Sequence, residues 1–233
     1  ALRVIEMFMA VLGHDLRSPL SAIVMSSQMI ARVAVDAPIA AAAQRLIRSG
    51  ARMRELLDKL LVYSRAQIGM GFDIKKADVD LAHECREEIE LLRASMPETR
   101  IHFESPESLR GMFDAGLIRE ALANLVVNAQ KYGTRGGEIR VELRDEGTSA
   151  ELAVGNAGDP IPREVLDLMF EPLRRGGVSV ESERASLGLG LFIVSQIAQA
   201  HAGTIRAESA GGTTIFKLHL PGPDDGHLSV SGG

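Results

Sequence analysis

Apolar residues at the start of the chain recur at alternating steps of three and four: Leu2, Ile5, Met9, Leu12, Leu16, Pro19, Ile23 and, past the polar Ser26, Ile30. This is a heptad seam, and it predicts a long amphipathic helix. With Leu2 and Met9 at a positions and Ile5 and Leu12 at d, His14 falls at f, on the outer face. The pattern fades at Ala34-Val35-Asp36-Ala37-Pro38, where Asp36 and Pro38 stop one helix and start the next. A second seam follows through Ile39, Ala42, Leu46, Met53, Leu56, Leu60 and Tyr63. Two helices joined by a short turn make a hairpin. One hairpin cannot cover both seams, so the expectation is a dimer in which two hairpins form a four-helix bundle.

Gly69-Met70-Gly71 punctuates the chain, and the period then changes. Loose alternation predicts a strand over 72–79, an amphipathic helix follows over 81–94, and a second strand over 100–104. Asp114 reads as the N-cap of a helix running to about Tyr132 and closed by Gly133. The clearest strand pair is 137–145 with 151–156, where Ile139, Val141 and Leu143 alternate with charged residues. A helix from Arg163 to about Met169, a loop to Leu187, a helix from Gly190 to His201 and strands at 204–208 and 214–220 complete the order. Helices and mostly antiparallel strands in this succession predict an α/β sandwich. The expected division is a helical domain over 1–68, an α/β domain over 72–221 and a disordered tail over 222–233.

Composition narrows the partners. The 233 residues carry a net charge of −5, which argues against nucleic acid, whose phosphates want a basic face. The single cysteine, Cys85, excludes a disulfide framework and a cysteine metal site, and reads as a buried small hydrophobe. No run of 18 apolar residues occurs and the start lacks a signal-peptide pattern, so a soluble, cytoplasmic chain without membrane contact is expected. Because it begins inside a heptad pattern, its first helix is expected to continue upstream.

The candidate chemistry lies in a few stretches. His14 is followed by Asp15, and Ser18 lies four residues on, over the same helix face, with Pro19 removing a backbone donor beside it. A solvent-facing imidazole with a neighbouring carboxylate is either a nucleophile, its tautomer fixed and its proton taken by the acid, or an ordinary surface histidine. On the helix after Asp114, Glu120, Asn124, Asn128 and Lys131 line up away from the apolar face. Asparagines are poorer helix formers than Glu/Lys pairs; their amide oxygens suit Mg²⁺, and Lys131 suits phosphate. Glycines at 188 and 190 precede an apolar helix, offering bare N–H groups and a positive helix end. Between them and the glycines at 155 and 158, the stretch 173–186 is rich in small polar residues and suits a mobile lid.

Taken in order, these segments resemble the sensor histidine kinases of two-component signalling, over Met9 to Pro221. His14 to Leu20 resembles the H box, Asn124 to Gly133 the N box, Asn156 to Pro162 the first glycine box, Phe170-Glu171-Pro172 the F box and Gly188 to Leu191 the second glycine box. The resemblance implies a homodimeric phosphoacceptor bundle followed by an ATP-binding sandwich of the fold shared with gyrase and Hsp90. It implies phosphorylation of His14 from ATP, with Asp15 beside it, and transfer to an aspartate of a response regulator receiver domain. Mg²⁺ falls to Asn128, and phosphate contacts to Lys131 and the stretch Gly188, Leu189, Gly190 and Leu191. The rest of the implied nucleotide site is Asn124, Tyr132, Asn156, Gly158, Phe170 and Arg174, with either Thr213 or Thr214. Ser18 is placed to orient water should the protein also dephosphorylate its partner, at a position where the family more often carries Thr or Asn.

The departures from the family pattern matter as much. Asn156 stands where the family's aspartate accepts from the adenine amino group, and Pro160 replaces a glycine. A neutral acceptor in place of a charged one is expected to weaken ATP binding, so that Asn156→Asp tightens it several-fold. The competing reading is a dimeric phosphotransfer or scaffold protein with a degenerate nucleotide site. Simple ATP hydrolysis is disfavoured, because Asn124 occupies the place of the general-base glutamate of gyrase-like hydrolases.

Overall fold

The computed structural model describes residues 2–34, 36–67, 72–166, 168–172 and 189–222; of the first helix, side chains are described only from Leu16 on, without Arg17 and Ser18. The chain divides into two compact units, Ala1–Met70 and Gly71–Gly233.

The first unit is the expected hairpin of α1 (Leu2–Val33) and α2 (Ala37–Gln67). The face that α1 turns to α2 is not the heptad seam. Among its described side chains, Leu20, Val24 and Ser27 are the buried residues of α1, one position round the helix from Ile23 and Ile30, which stay exposed. Among the described residues of α2, the buried positions are Ala43, Gly50 and Ser64, while its own seam residues Leu46, Met53 and Leu60 are exposed. The physical reason is size. Alanine, glycine and serine let the helices approach closely, and a β-carbon on Gly50 would run into Cγ2 of Val24. The larger seam residues, with Ile23 51 % and Met53 48 % exposed, are left pointing out of the hairpin.

The second unit is a sheet covered on one face by helices. Its strands are β2 (Arg100–Glu104), β4 (Glu138–Asp145), β5 (Ser149–Ala157), β6 (Thr204–Ala210) and β7 (Thr213–Pro221), in the order β2-β4-β5-β7-β6. Only the β2–β4 pair is parallel. A separate ribbon pairs β1 (Ala77–Asp80) with β3 (Arg110–Phe113). The helices are α3 (Leu81–Ser95), α4 (Ala115–Tyr132), the single turn α5 (Arg163–Leu166) and α6 (Gly190–Ala200). Inward positions of alternate strand residues, among them Val141, Leu143, Leu152, Val154, Phe216 and Leu218, meet Ile89, Ile118, Leu122, Leu125, Ile193 and Ile197 of the helices. The outward positions carry charge, as in Arg144 with Glu142 and Lys217 with Glu208.

Local chemistry fixes the helix ends that frame the site. Asp80 caps α3 and also accepts from the Leu109 N–H, and these bonds, that from Leu109 foremost, lower its pKa to about 2. Asp114 caps α4 through Leu117 and holds the Lys75 N–H with its other oxygen. The Asp114 N–H in turn donates to Nε2 of His201 at 3.1 Å, while Nδ1 of His201 donates to the Ile197 carbonyl at 2.9 Å. His201 therefore ties the end of α6 to the start of α4, and it can do so only as neutral imidazole.

Burial pushes the His201 pKa down, with Lys76 adding to this and the Ile197 carbonyl and Asp114 opposing it. The unfolded chain thus binds the extra proton, and the stabilisation is present above the ordinary histidine pKa of about 6.5 and lost as pH falls below it. Thermal unfolding followed from pH 7.5 to pH 5 is expected to show this decline. His201→Phe should cost about 1–3 kcal/mol at the upper end and lack the decline.

Candidate functional site

Along most of the sheet the inward positions are apolar, but at one end the registered row reads Ile139, Asn156, Thr214, Ser209 across β4, β5, β7 and β6. Asn156 is 7 % exposed and Thr214 3 %. Thr214 lies opposite Asn156 and Thr213 opposite Ala157, so the two-residue period puts only Thr214 on the inner face. Oγ of Ser209 accepts from the Ile161 N–H at 2.9 Å and lies 3.0 Å from Oγ1 of Thr214. That pair of hydroxyls fastens the loop carrying Pro160 and Pro162 to the sheet.

The row abuts the C-terminal end of α4. A β-carbon on Gly133 would lie 2.5 Å from the Ala129 carbonyl and 3.1 Å from Nδ2 of Asn156; one on Gly158 would lie 3.4 Å from the same nitrogen. At Gly133 the Ala129 carbonyl, with the Asn156 amide behind it, leaves no room for a side chain, and at Gly158 the nearest atom is the Tyr132 carbonyl oxygen at 3.3 Å. Nδ2 of Asn156 donates to the Ala157 carbonyl at 3.1 Å, which also receives the Thr134 N–H at 2.8 Å. Oδ1 of Asn156 has no partner among the described residues. Since no buried side-chain oxygen or nitrogen there goes unpartnered, Oδ1 opens to the surface as a free acceptor.

From this end, α4 carries the remaining polar groups back along its length. Tyr132 is 52 % exposed, and Nζ of Lys131 lies 3.0 Å from its hydroxyl and 4.7 Å from its ring centre. Asn128 makes no hydrogen bond to a described residue and is half-buried. Nδ2 of Asn124 donates to the Glu120 carbonyl at 2.9 Å, which turns its Oδ1 towards α6; a β-carbon on Gly190 would lie 3.1 Å from that oxygen. Leu189, 1 % exposed, anchors the start of α6 and gives it no side-chain cap, so among the described residues no side chain caps the first N–H groups of the helix. Leu191 follows, half-buried, in the first turn. At 1.5 Å per residue, Asn124 and Gly133 are separated by roughly 13 Å along the axis, so α4 sets an acceptor at one end and cation and amide groups towards the other.

Among the other residues of interest, Phe170 packs edge-on against the core residue Phe216 with ring centres 6.4 Å apart. Arg174 and Gly188 lie outside the described residues. His14, Asp15 and Ser18 fall on α1 in the first unit, and their side chains are also outside the described set. Sequence reasoning missed Ser209 and the carbonyl of Ala157. The inward phase of β6, on which Ser209 follows Ile205 and Ala207, is the signal that points to the first; the second has no side-chain signal at all.

Comparison with known proteins agrees with both units. Residues 5–69 match the His Kinase A (phospho-acceptor) domain, and residues 113–224 match the Histidine kinase-, DNA gyrase B-, and HSP90-like ATPase family. A bacteriophytochrome of Pseudomonas aeruginosa is 31 % identical over 94 % of this chain, which spans 30 % of that protein. The sensor-like histidine kinase SenX3 of Mycobacterium tuberculosis is also 31 % identical, over 92 % of this chain and 53 % of its own length. The chain thus corresponds to about a third to a half of these relatives. Among solved structures, the histidine kinase ThkA in complex with the response regulator protein TrrA matches with a TM-score of 0.60 at 22 % identity, covering 95 % of this chain and 63 % of ThkA. A phospho-acceptor match over the first unit, followed in the same chain by an ATPase match that lies within the second, places this chain among the HisKA-type sensor histidine kinases.

Proposed function

We propose that this chain is the kinase core of a sensor protein, transferring the γ-phosphoryl group of ATP to His14 and then to an aspartate on the receiver domain of a response regulator. The observation that carries the nucleotide half is the row of Asn156 and Thr214 beside the C-terminal end of α4, an acceptor and a hydroxyl at the closed end of a polar run that leads to α6. Oδ1 of Asn156 accepts from the adenine amino group, with Thr214 rather than Thr213 as its neighbour. Lys131 exchanges its contact with Tyr132 for phosphate oxygens, and the open N–H groups at the start of α6 take a share of the same charge. Gly158, Phe170, Arg174 and Gly188 complete the site as the family resemblance has them.

The residues fit a bound Mg²⁺. An unpartnered amide oxygen on Asn128, next to where the phosphates lie, is the hard donor that this ion takes, since it usually keeps several waters and only one or two protein ligands. When bound, Mg²⁺ neutralises charge on the phosphate oxygens. Transfer then consists of attack by the ring nitrogen of His14 on the γ-phosphorus. The N–P bond forms, the bond to the bridging oxygen of ADP breaks, and the proton on the other ring nitrogen passes to Asp15. Ser18 is the candidate for orienting the water that hydrolyses the aspartyl phosphate of the partner.

The exposed seam of Ile23, Ile30, Leu46, Met53 and Leu60 supports a homodimer, because a single hairpin leaves these residues wet. Among the described residues no helix is long and apolar enough to cross a membrane, and a place on the cytoplasmic side is part of the proposal. The test is incubation with labelled ATP and Mg²⁺. Acid-labile, base-stable label on the protein is expected, whereas free phosphate without protein label would replace this reading with an ATPase.

A further inference from the structure

We infer that position 156 is built for an amide, and that the Ala157 carbonyl, by engaging Nδ2, fixes Asn156 with its oxygen towards the base and so makes the site selective for a purine bearing its amino donor at C6. The inference rests on the nucleotide reading above. It reverses the expectation drawn from the family pattern, in which an aspartate at 156 binds ATP more tightly.

The argument begins with the two ends of the amide. Nδ2 is 3.1 Å from the Ala157 carbonyl oxygen, and the glycines at 133 and 158 leave space for it, since β-carbons there would stand 3.1 and 3.4 Å away. An amide is unsymmetrical: with its donor engaged there, only the acceptor remains to meet a ligand. Adenine presents an amino hydrogen to that acceptor, and guanine in the same pose presents a carbonyl oxygen, acceptor against acceptor. A freely turning amide would accommodate both bases. The carbonyl of Ala157 therefore acts as a specificity determinant without touching the nucleotide.

A carboxylate is symmetrical and has no donor. Whichever way χ2 turns in Asn156→Asp, an oxygen comes to lie against the Ala157 carbonyl, in a position that is mostly buried. The gain of a charged acceptor for adenine is set against a lost hydrogen bond and an unpaired buried charge, and the second effect is the larger. Gly133 and Gly158 beside the amide, and Ile139 and Thr214 opposite it in the sheet, carry no charge that would offset it. Protonation of the introduced carboxyl supplies the missing donor, so the defect is expected to shrink at low pH.

The experiment titrates the wild-type chain and Asn156→Asp with ATP and with GTP by calorimetry at pH 7.5 and pH 5.5, and records thermal unfolding of both without nucleotide. Wild type is expected to prefer ATP over GTP by at least about tenfold. Asn156→Asp is expected to bind ATP about tenfold more weakly than wild type at pH 7.5, to melt lower, and to recover part of both losses at pH 5.5. Equal or tighter ATP binding by Asn156→Asp at pH 7.5, or equal binding of ATP and GTP by wild type, overturns the inference. If wild type binds no nucleotide, the nucleotide reading is what fails. The melting data then decide on the amide alone, and an Asn156→Asp protein as stable as wild type at pH 7.5 rejects it.

Discussion

His14→Gln is expected to abolish transfer of label from ATP to the protein while nucleotide affinity stays at the wild-type value. Glutamine matches the histidine in polarity, and its amide nitrogen has no available lone pair, so the position keeps its place on α1 and loses its nucleophile. The proposed acceptor lies in the unit Ala1–Met70 and every proposed nucleotide contact in the unit Gly71–Gly233, which has its own buried core, so the substitution is expected to leave the ATP site untouched. Labelling on a gel and calorimetric titration of the same preparation check the two halves separately. Undiminished label on the variant would remove His14 from the mechanism.

The second large effect belongs to Asn128→Ala. Its amide oxygen is the protein ligand proposed for Mg²⁺, and among the described residues no cluster of three His, Cys, Asp or Glu offers the ion another home. Removing it is expected to lower Mg²⁺-dependent labelling by about 10³-fold, the equivalent of the several kcal/mol that a metal contributes at a transferring phosphoryl group. Alanine is the better helix former, and the buried residues of α4, Ile118, Ala121, Leu122, Leu125, Val126 and Ala129, do not include position 128, so the fold is retained. Labelling rates across a Mg²⁺ series, with ADP binding measured without Mg²⁺ as the control, check this. A wild-type rate in Asn128→Ala at limiting Mg²⁺ would move the metal elsewhere.

What the sequence made legible, and what it did not, follows from the range of the forces involved. Helix α4 was readable from Asp114 to Gly133 because cap, apolar face and terminating glycine are all local. Strand β3, four residues reading Arg-Gly-Met-Phe, was missed, because it has no alternation of its own and exists only through pairing with β1. For the same reason the strand expected over 72–79 shrinks to Ala77–Asp80, the residues that have a partner. In the hairpin the heptad pattern found the helices and the large apolar residues, yet the faces that meet are the small ones, whose signal is weak until Gly50 is seen against Val24. The choice between Thr213 and Thr214 needed the β5–β7 register. The orientation of Asn156 depended on a backbone carbonyl, which no pattern of side chains encodes.

The half-exposed seam of the hairpin also bears on how its stability scales with the amount of protein. A unit that completes its core with a second copy is governed by mass action, its folded population rising with chain concentration, whereas a unit with a closed core of its own is indifferent to it. Residues Ile118, Leu125, Ile193 and Phe216 close the core of the second unit within one chain; Ile23 and Met53 do not do so for the first. Unfolding of this protein is therefore expected to separate on dilution into two transitions. The melting temperature of the helical unit should fall with concentration while that of the α/β unit stays fixed, so that at low copy number a chain retains its nucleotide domain and lacks the folded helix that presents His14.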